Sequence, residues 1–205
     1  MSKPLRAGLP ASAALLAAAW LGGCLTPGPP AGPDDGLYPL PDFALTERSG
    51  QTVRRQDLLG KVWVAAFVFT RCAGPCTKVS AGMARLQHDL AGEPDVRLVS
   101  FTVDPEYDTP AVLRQYAARF GAQPGRWLFL TGQPDAVYRL IGQGFHLYAE
   151  PNQGADRTPG NEVMHDIRLA VVDRRGHVRG YFEATDPEAV GRLEDKVRAL
   201  LREKP

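Results

Sequence analysis

One stretch constrains this chain more than any other: Lys61-Val62-Trp63-Val64-Ala65-Ala66-Phe67-Val68-Phe69, a short and nearly all-apolar run. A run of this kind reads as a strand buried on both faces, which needs helices to cover it. The flanking sequence supplies them. Cys76 to Leu90 places apolar residues at Val79, Met83, Leu86 and Leu90, a helical spacing. Val96 to Val103 is a second central strand. Thr109-Pro110 opens a helix through Phe120, with Thr as N-cap and Pro at the first helical position. Trp127 to Leu130 gives a third strand and Pro134 to Ile141 a short helix. Ile167 to Asp173 and Val178 to Phe182 are strands joined as a hairpin by Arg174-Arg175-Gly176-His177. Asp186-Pro187 caps a last helix through Leu201.

The order β-α-β-α-β-α-β-β-α requires parallel strands with crossover helices, followed by an antiparallel hairpin. It resembles the thioredoxin-like plan, an α/β fold with a central mixed sheet flanked by helices. An extra N-terminal hairpin is expected around Phe43–Leu45 and Thr52–Val53. With 44% hydrophobic and 23% charged residues, the composition excludes a disordered or multi-span membrane chain. A net charge of +1 leaves no basic footprint, so nucleic acid is not an expected partner. No internal repeat is visible, and Glu150 to Glu162 is the one long polar loop. Loops of that length in compact domains are often functional.

The N-terminus reads differently. Lys3 and Arg6 precede an apolar run from Ala11 to Leu21, which has the length of a signal-peptide core and is shorter than the roughly 20 residues of a conventional span. The run ends in Leu21-Gly22-Gly23-Cys24, which resembles the bacterial lipobox. Residues 1–23 are therefore expected to be a lipoprotein signal peptide, with Cys24 carrying the lipid. Cleavage would leave 22 basic against 23 acidic residues, a net charge of −1. Residues 24–36, rich in Pro and Gly, would form an extended tether at ~3.1 Å per residue in its Pro-rich parts. Residues 37–205 would then be one folded domain outside the cytoplasm, where nothing forces thiols to stay reduced.

Cys72 and Cys76 are the remaining pair, in Phe69-Thr70-Arg71-Cys72-Ala73-Gly74-Pro75-Cys76 at the carboxyl end of the first central strand. In open α/β sheets that edge binds ligands. A thiol at a helix N-terminus is favoured as thiolate, the form that attacks disulfides and binds metal. If the segment is helical, positions i and i+4 bring the Cα atoms to ~6 Å, within disulfide range. Two convergent thiolates equally suit copper(I) or zinc, and two packed hydrophobic Cys are the structural alternative. A metal needs a third donor. Among the four His, His88 falls in a helix and His177 in a hairpin turn, while His146 follows Phe145 in an expected strand. His165 stands at the junction of the long polar loop and a buried strand, which in a thioredoxin-like sheet faces the Cys loop. Thioredoxins have a cis-Pro there. A dithiol facing His favours metal over disulfide exchange.

Three blocks in order carry a resemblance to the SCO/SenC family, covering roughly Leu37 to Leu201. They are Thr70-Arg71-Cys72…Cys76, then Val103-Asp104-Pro105-Glu106-Tyr107-Asp108-Thr109-Pro110, then His165 followed by Ile167–Asp173 and Gly176. The resemblance implies an exported, thioredoxin-fold metallochaperone that helps assemble the dinuclear copper centre of cytochrome c oxidase. It implies copper, as Cu(I) or Cu(II), on Cys72, Cys76 and His165, with Asp104 and Asp108 shaping the site or a partner surface. Helix capping is the other reading of the two Asp. The implied partners are the copper-receiving subunit of a terminal oxidase and another periplasmic copper chaperone. The lipid would hold the protein to the membrane, facing the periplasm or the outer side of the cytoplasmic membrane. A thiol–disulfide reductase, attacking through Cys72 and resolving through Cys76, is the main rival reading and would make the protein an enzyme. A peroxiredoxin-type peroxidase is a third, against which the usual Pro-x-x-x-Thr-x-x-Cys arrangement is absent. The family usually has Pro after each Cys, where this chain has Ala73 and Thr77.

Overall fold

The computed structural model describes Met1 and residues 38–203. The expected signal peptide, Cys24 and the tether lie outside the described residues. The apolar run becomes β4, Val62–Val68, and every one of its residues is buried. It is central in an eight-stranded sheet that also holds β1 (Tyr38–Pro39), β2 (Ala44–Glu47), β3 (Thr52–Arg54), β5 (Val96–Thr102), β6 (Trp127–Thr131), β9 (Leu169–Val172) and β10 (His177–Phe182), in the order β1-β10-β9-β4-β5-β6-β2-β3. Strands β4, β5 and β6 are parallel, whereas β9 runs antiparallel to β4 and β10 antiparallel to β9. The crossovers are α1 (Cys76–Asp89) and α2 (Pro110–Arg119), followed by a short α3 (Pro134–Arg139); α4 (Pro187–Arg202) closes the chain. The α/β expectation of a mixed sheet with helical crossovers and a C-terminal hairpin is met.

Register decides where the chemistry can sit. Strands β4 and β5 pair from Val62↔Val96 to Val68↔Thr102, so both end at the same level. Val103 N–H extends the ladder by donating to Val68 O at 2.9 Å. The loops after the two strands therefore leave the sheet side by side. On the other flank Ala65 pairs with Ala170, so β9 enters the sheet near the end where β4 leaves it. Residues just before β9 are thus delivered to the same edge.

The N-terminal hairpin forms as β2 and β3, and β2 continues the sheet by pairing with β6 at Thr46↔Thr131. Two features depart from the expectation. The long polar loop is braced at its base by a separate two-stranded ribbon, β7 (Ala149–Pro151) with β8 (Val163–His165). The α3 helix ends at Arg139 and widens into a π-type turn over Leu140–Gly144. That turn brings Phe145 into the core. His146 consequently lies in a left-handed bend at φ 49° rather than in a strand, with its ring edge-on to Tyr38.

The core centres on Phe67, Phe101 and Phe145. Phe67 stacks on Phe101 at 5.8 Å and meets Phe145 edge-on at 5.0 Å. Aromatic packing of this kind adds to the large apolar area each ring removes from water. Because Phe67 lies near the end of β4, just before the Cys loop, a cavity left there would be felt both by the fold and by the site. Phe67→Ala is expected to lower stability in urea unfolding by about 3–5 kcal/mol, and a loss under about 1 kcal/mol would remove the ring cluster from the core's supports.

Candidate metal centre

The Cys loop is anchored before it turns. Asp108 is fully buried, and its carboxylate accepts from Thr70 N–H at 3.1 Å, from Thr70 Oγ1 at 2.5 Å and from Thr102 Oγ1 at 2.5 Å. Thr109, not Asp108, caps α2 by accepting from Val112 N–H. Burial pushes the Asp108 carboxyl above its ordinary range, against the lowering effect of those donors. Asp104, also buried, accepts from Arg71 Nε at 2.7 Å. Arg71 in turn pairs with Glu162 Oε1 at 3.3 Å and lies over the Tyr107 ring at 4.3 Å. The other oxygen of buried Glu162 has no hydrogen-bond partner among the described residues, so Arg71 is the side chain that holds this carboxylate.

Between Thr70 and Cys76 the chain runs through turns, and α1 begins only at Cys76. The thiols therefore meet across a turn rather than along one helix face. Both are free: Cys72 is half-buried and Cys76 is 1% exposed. Cys72 Sγ accepts from Gly74 N–H at 3.2 Å. Its pKa is held down at about 4, chiefly by the hydrogen bond from Cys76, with Gly74 N–H adding to this against burial. Cys76 is driven the other way, by donating to Cys72 and by burial. The thiol at the helix N-terminus thus keeps its proton, contrary to the dipole argument, and the thiolate forms at the more exposed sulfur.

His165 reaches the same place from β8. Its Nε2 lies 3.5 Å from Cys76 Sγ, and its ring packs edge-on against Phe69 at 5.7 Å. The other ring nitrogen, Nδ1, is 2.8 Å from the Asp166 carbonyl oxygen. A carbonyl can only accept, so Nδ1 carries the hydrogen and the Nε2 lone pair faces the sulfurs. A tetrahedral ion with sulfur at ~2.3 Å and nitrogen at ~2.0 Å would separate those donors by about 3.5 Å. The residues therefore fit a soft metal ion. Among the described residues no three such side chains are yet closed into a coordination cage. Cys72 and His165 border an open cleft of about 400 Å³ with apolar walls including Phe69, Val163 and Ile167, while Cys76 lies buried behind them.

The remaining expected residues sort plainly. His88 is exposed beside Asp89, and His177 begins β10 with its Nδ1 3.9 Å from Asp173. Asp173 shapes the hairpin turn by accepting from Arg175 N–H and His177 N–H, both at 2.9 Å. Sequence reasoning gave no structural part to Arg71, Glu162, Phe69 or the Asp166 carbonyl. Of these, only Arg71 carried a signal, a cation beside a Cys; the carbonyl carried none, because every residue has one.

A family model described as SCO1/SenC matches residues 36–202. The chain belongs to the SCO1/SenC family. Three solved structures are similar to it. A SCO1/SenC family lipoprotein from Bacillus anthracis str. Ames superposes with a TM-score of 0.74 at 27% identity, over 82% of this chain and 98% of that one. BsSco, a member of the Sco family of cytochrome c oxidase assembly proteins in which a disulfide switch was identified, gives 0.71 at 30% identity over 83% and 98%. Bradyrhizobium japonicum ScoI with copper bound gives 0.61 at 25% identity over 77% and 99%. The thioredoxin-like fold expected of a SCO1/SenC protein is the fold observed. Among the described residues, no helix is long and apolar enough to cross a membrane.

The asymmetry of the two thiols sets a pH dependence. A depressed pKa leaves Cys72 as thiolate above about pH 4 and protonates it only below. Iodoacetamide labelling of Cys72 should therefore hold its rate from neutrality down to about pH 5, whereas an ordinary thiol near 8.5 would already have slowed. Cys76→Ala removes the principal donor and should move that profile upward. An ordinary thiol profile in the unsubstituted protein would show that Cys76 does not share its proton.

Proposed function

We propose that this chain binds copper through Cys72, Cys76 and His165 and serves the assembly of the dinuclear copper centre of cytochrome c oxidase. The observation that carries the reading is the approach of His165 Nε2 to Cys76 Sγ with Nδ1 tied to a carbonyl, which leaves Nε2 as the ring nitrogen placed to ligate. Two soft sulfurs favour copper(I), and the imidazole lets the same site accept copper(II). Copper is cargo here. A partner's thiolates would enter from the open cleft and replace the ligands one at a time, so the ion is never released to water. Asp108 and Arg71 shape the site by holding the Cys loop, and the receiving partner would be the copper-accepting subunit of a terminal oxidase or a second exported copper chaperone.

The lipobox resemblance supports a tethered, exported protein, with lipid on Cys24 and the domain facing the periplasm or the outer side of the cytoplasmic membrane. Cys24→Ala is expected to release the protein from washed membranes into the soluble fraction. Retention of the unlipidated variant would count against the tether.

A second reading rests on the low pKa of Cys72 beside a protonated, more buried Cys76. In that reading the Cys72 thiolate attacks a client disulfide, forming a mixed disulfide and expelling one client thiolate. Cys76 then loses its proton to solvent and attacks Cys72 Sγ, releasing the second client thiolate. The client gains two electrons and the Cys72–Cys76 disulfide forms, to be reset by an external dithiol.

One substitution separates the two. His165→Ala should weaken copper(I) binding by at least about tenfold with the fold retained, since even supporting partners of metal ligands typically cost 10–100-fold. Unchanged affinity refutes the ligand assignment. Disulfide turnover by metal-free protein that is indifferent to His165→Ala would favour the reductase.

A further inference from the structure

The ribbon that carries His165 is not part of the main sheet. Its strands β7 and β8 pair only with each other, at Ala149↔His165, Glu150↔Met164 and Pro151↔Val163. A two-stranded ribbon is marginally stable in water by itself. Within it, Asn152 N–H donates to Glu162 O at 2.9 Å and Asp166 N–H to Tyr148 O at 2.8 Å, which closes the ribbon on itself without docking it. Glu150, Met164 and the segment 153–159 are exposed. Docking has to come from contacts with the body of the domain.

Two such contacts fall on the Cys loop, either side of Cys72. Ala73 N–H donates to Gly160 O at 3.0 Å. Arg71 Nη1 pairs with Glu162 Oε1 at 3.3 Å while its Nε holds Asp104. The first contact is so close that Gly160 is required: its φ is +84°, and a Cβ there would lie 2.4 Å from Ala73 Cβ and 3.0 Å from Ala73 N. Residue 73 must equally carry an N–H, which a proline lacks.

We infer that the Ala73–Gly160 backbone bond, backed by the Arg71–Glu162 pair, is a clasp that docks the ribbon on the Cys loop of the metal-free protein and so positions His165 over the two sulfurs. This rests on the ligand set proposed above. Ala73, Gly160, Arg71 and Glu162 are positioning residues that act through His165 and touch no metal themselves. The clasp spans Cys72 directly, so the thiolate and the imidazole are held by the same pair of contacts. Copper then meets a nitrogen donor already held beside the sulfurs instead of having to order the ribbon that carries it.

The test is a set of substitutions read with and without His165. Ala73→Pro removes the donor and Gly160→Ala forces the backbones apart. Each should weaken copper(I) binding, measured by chelator competition, about tenfold when His165 is present, the scale typical of residues that orient a ligand. In a His165→Ala background neither should change affinity further, while Ala73→Gly, which keeps the N–H, should bind as the unsubstituted protein does. Losses equal in both backgrounds, or no loss when His165 is present, overturn the clasp. In the metal-free full chain, amide exchange at Asn152 and Asp166 should speed up in both variants while β4 stays protected; unchanged exchange overturns it as well. Should His165→Ala alone leave copper affinity intact, the ligand assignment fails, and the exchange rates still decide the clasp. If Ala73→Pro does not fold, Gly160→Ala and Glu162→Gln carry the same comparison.

Discussion

Asp108 is the point on which the site depends. Its buried carboxylate takes a backbone and a side-chain hydrogen bond from Thr70, at the root of the Cys loop, and a third from Thr102, at the end of the adjacent strand. Burying a carboxylate is costly unless donors surround it, and the in-register ends of β4 and β5 present those donors together. The two strands thus fix one acidic group, and that group fixes where the chain begins its turn toward Cys72. Asp104 and Arg71 extend the same logic outward, tying the loop after β5 to the loop after β4 and on to Glu162.

Much of the fold was legible because its signals are local. The run from Val62 to Val68 could only be a doubly covered strand, and Thr109-Pro110 and Asp186-Pro187 both cap helices as read, each with its side chain accepting from the first turn. The Cys pair and His165 were legible by position: antiparallel β9 enters beside the exit of β4, so the segment before it must approach the Cys loop. The ribbon was not legible. Ala149–Pro151 and Val163–His165 are short, carry Pro, Glu and Met, and lack an alternating pattern of their own. Their pairing is set by what they pack against, a tertiary effect that local propensity does not encode. The π-type turn before Phe145 was hidden for a similar reason, since Leu140–Gly144 reads as the frayed end of a helix.

The two thiols show how position outweighs a generic field. Cys76 has the helix N-terminus, yet it is nearly inaccessible and gives its hydrogen to Cys72. Cys72 lies outside the helix, is better solvated and receives Gly74 N–H. One proton is shared unequally by a pair, and the more accessible sulfur holds the negative charge. Both metal capture and attack on a disulfide begin from a sulfur in that state, so the two proposed chemistries share one starting point.

The bond from His165 Nδ1 goes to a main-chain oxygen, not to a side chain. Whatever residue occupies position 166, that oxygen is present, so the imidazole's proton arrangement is written in the path of the backbone. Natural variants at that position can drift in charge and size without exchanging the roles of the two ring nitrogens. An inventory of invariant side chains would therefore overlook the group that orients the nitrogen donor, and only a change that redirects the chain at this corner would disturb it.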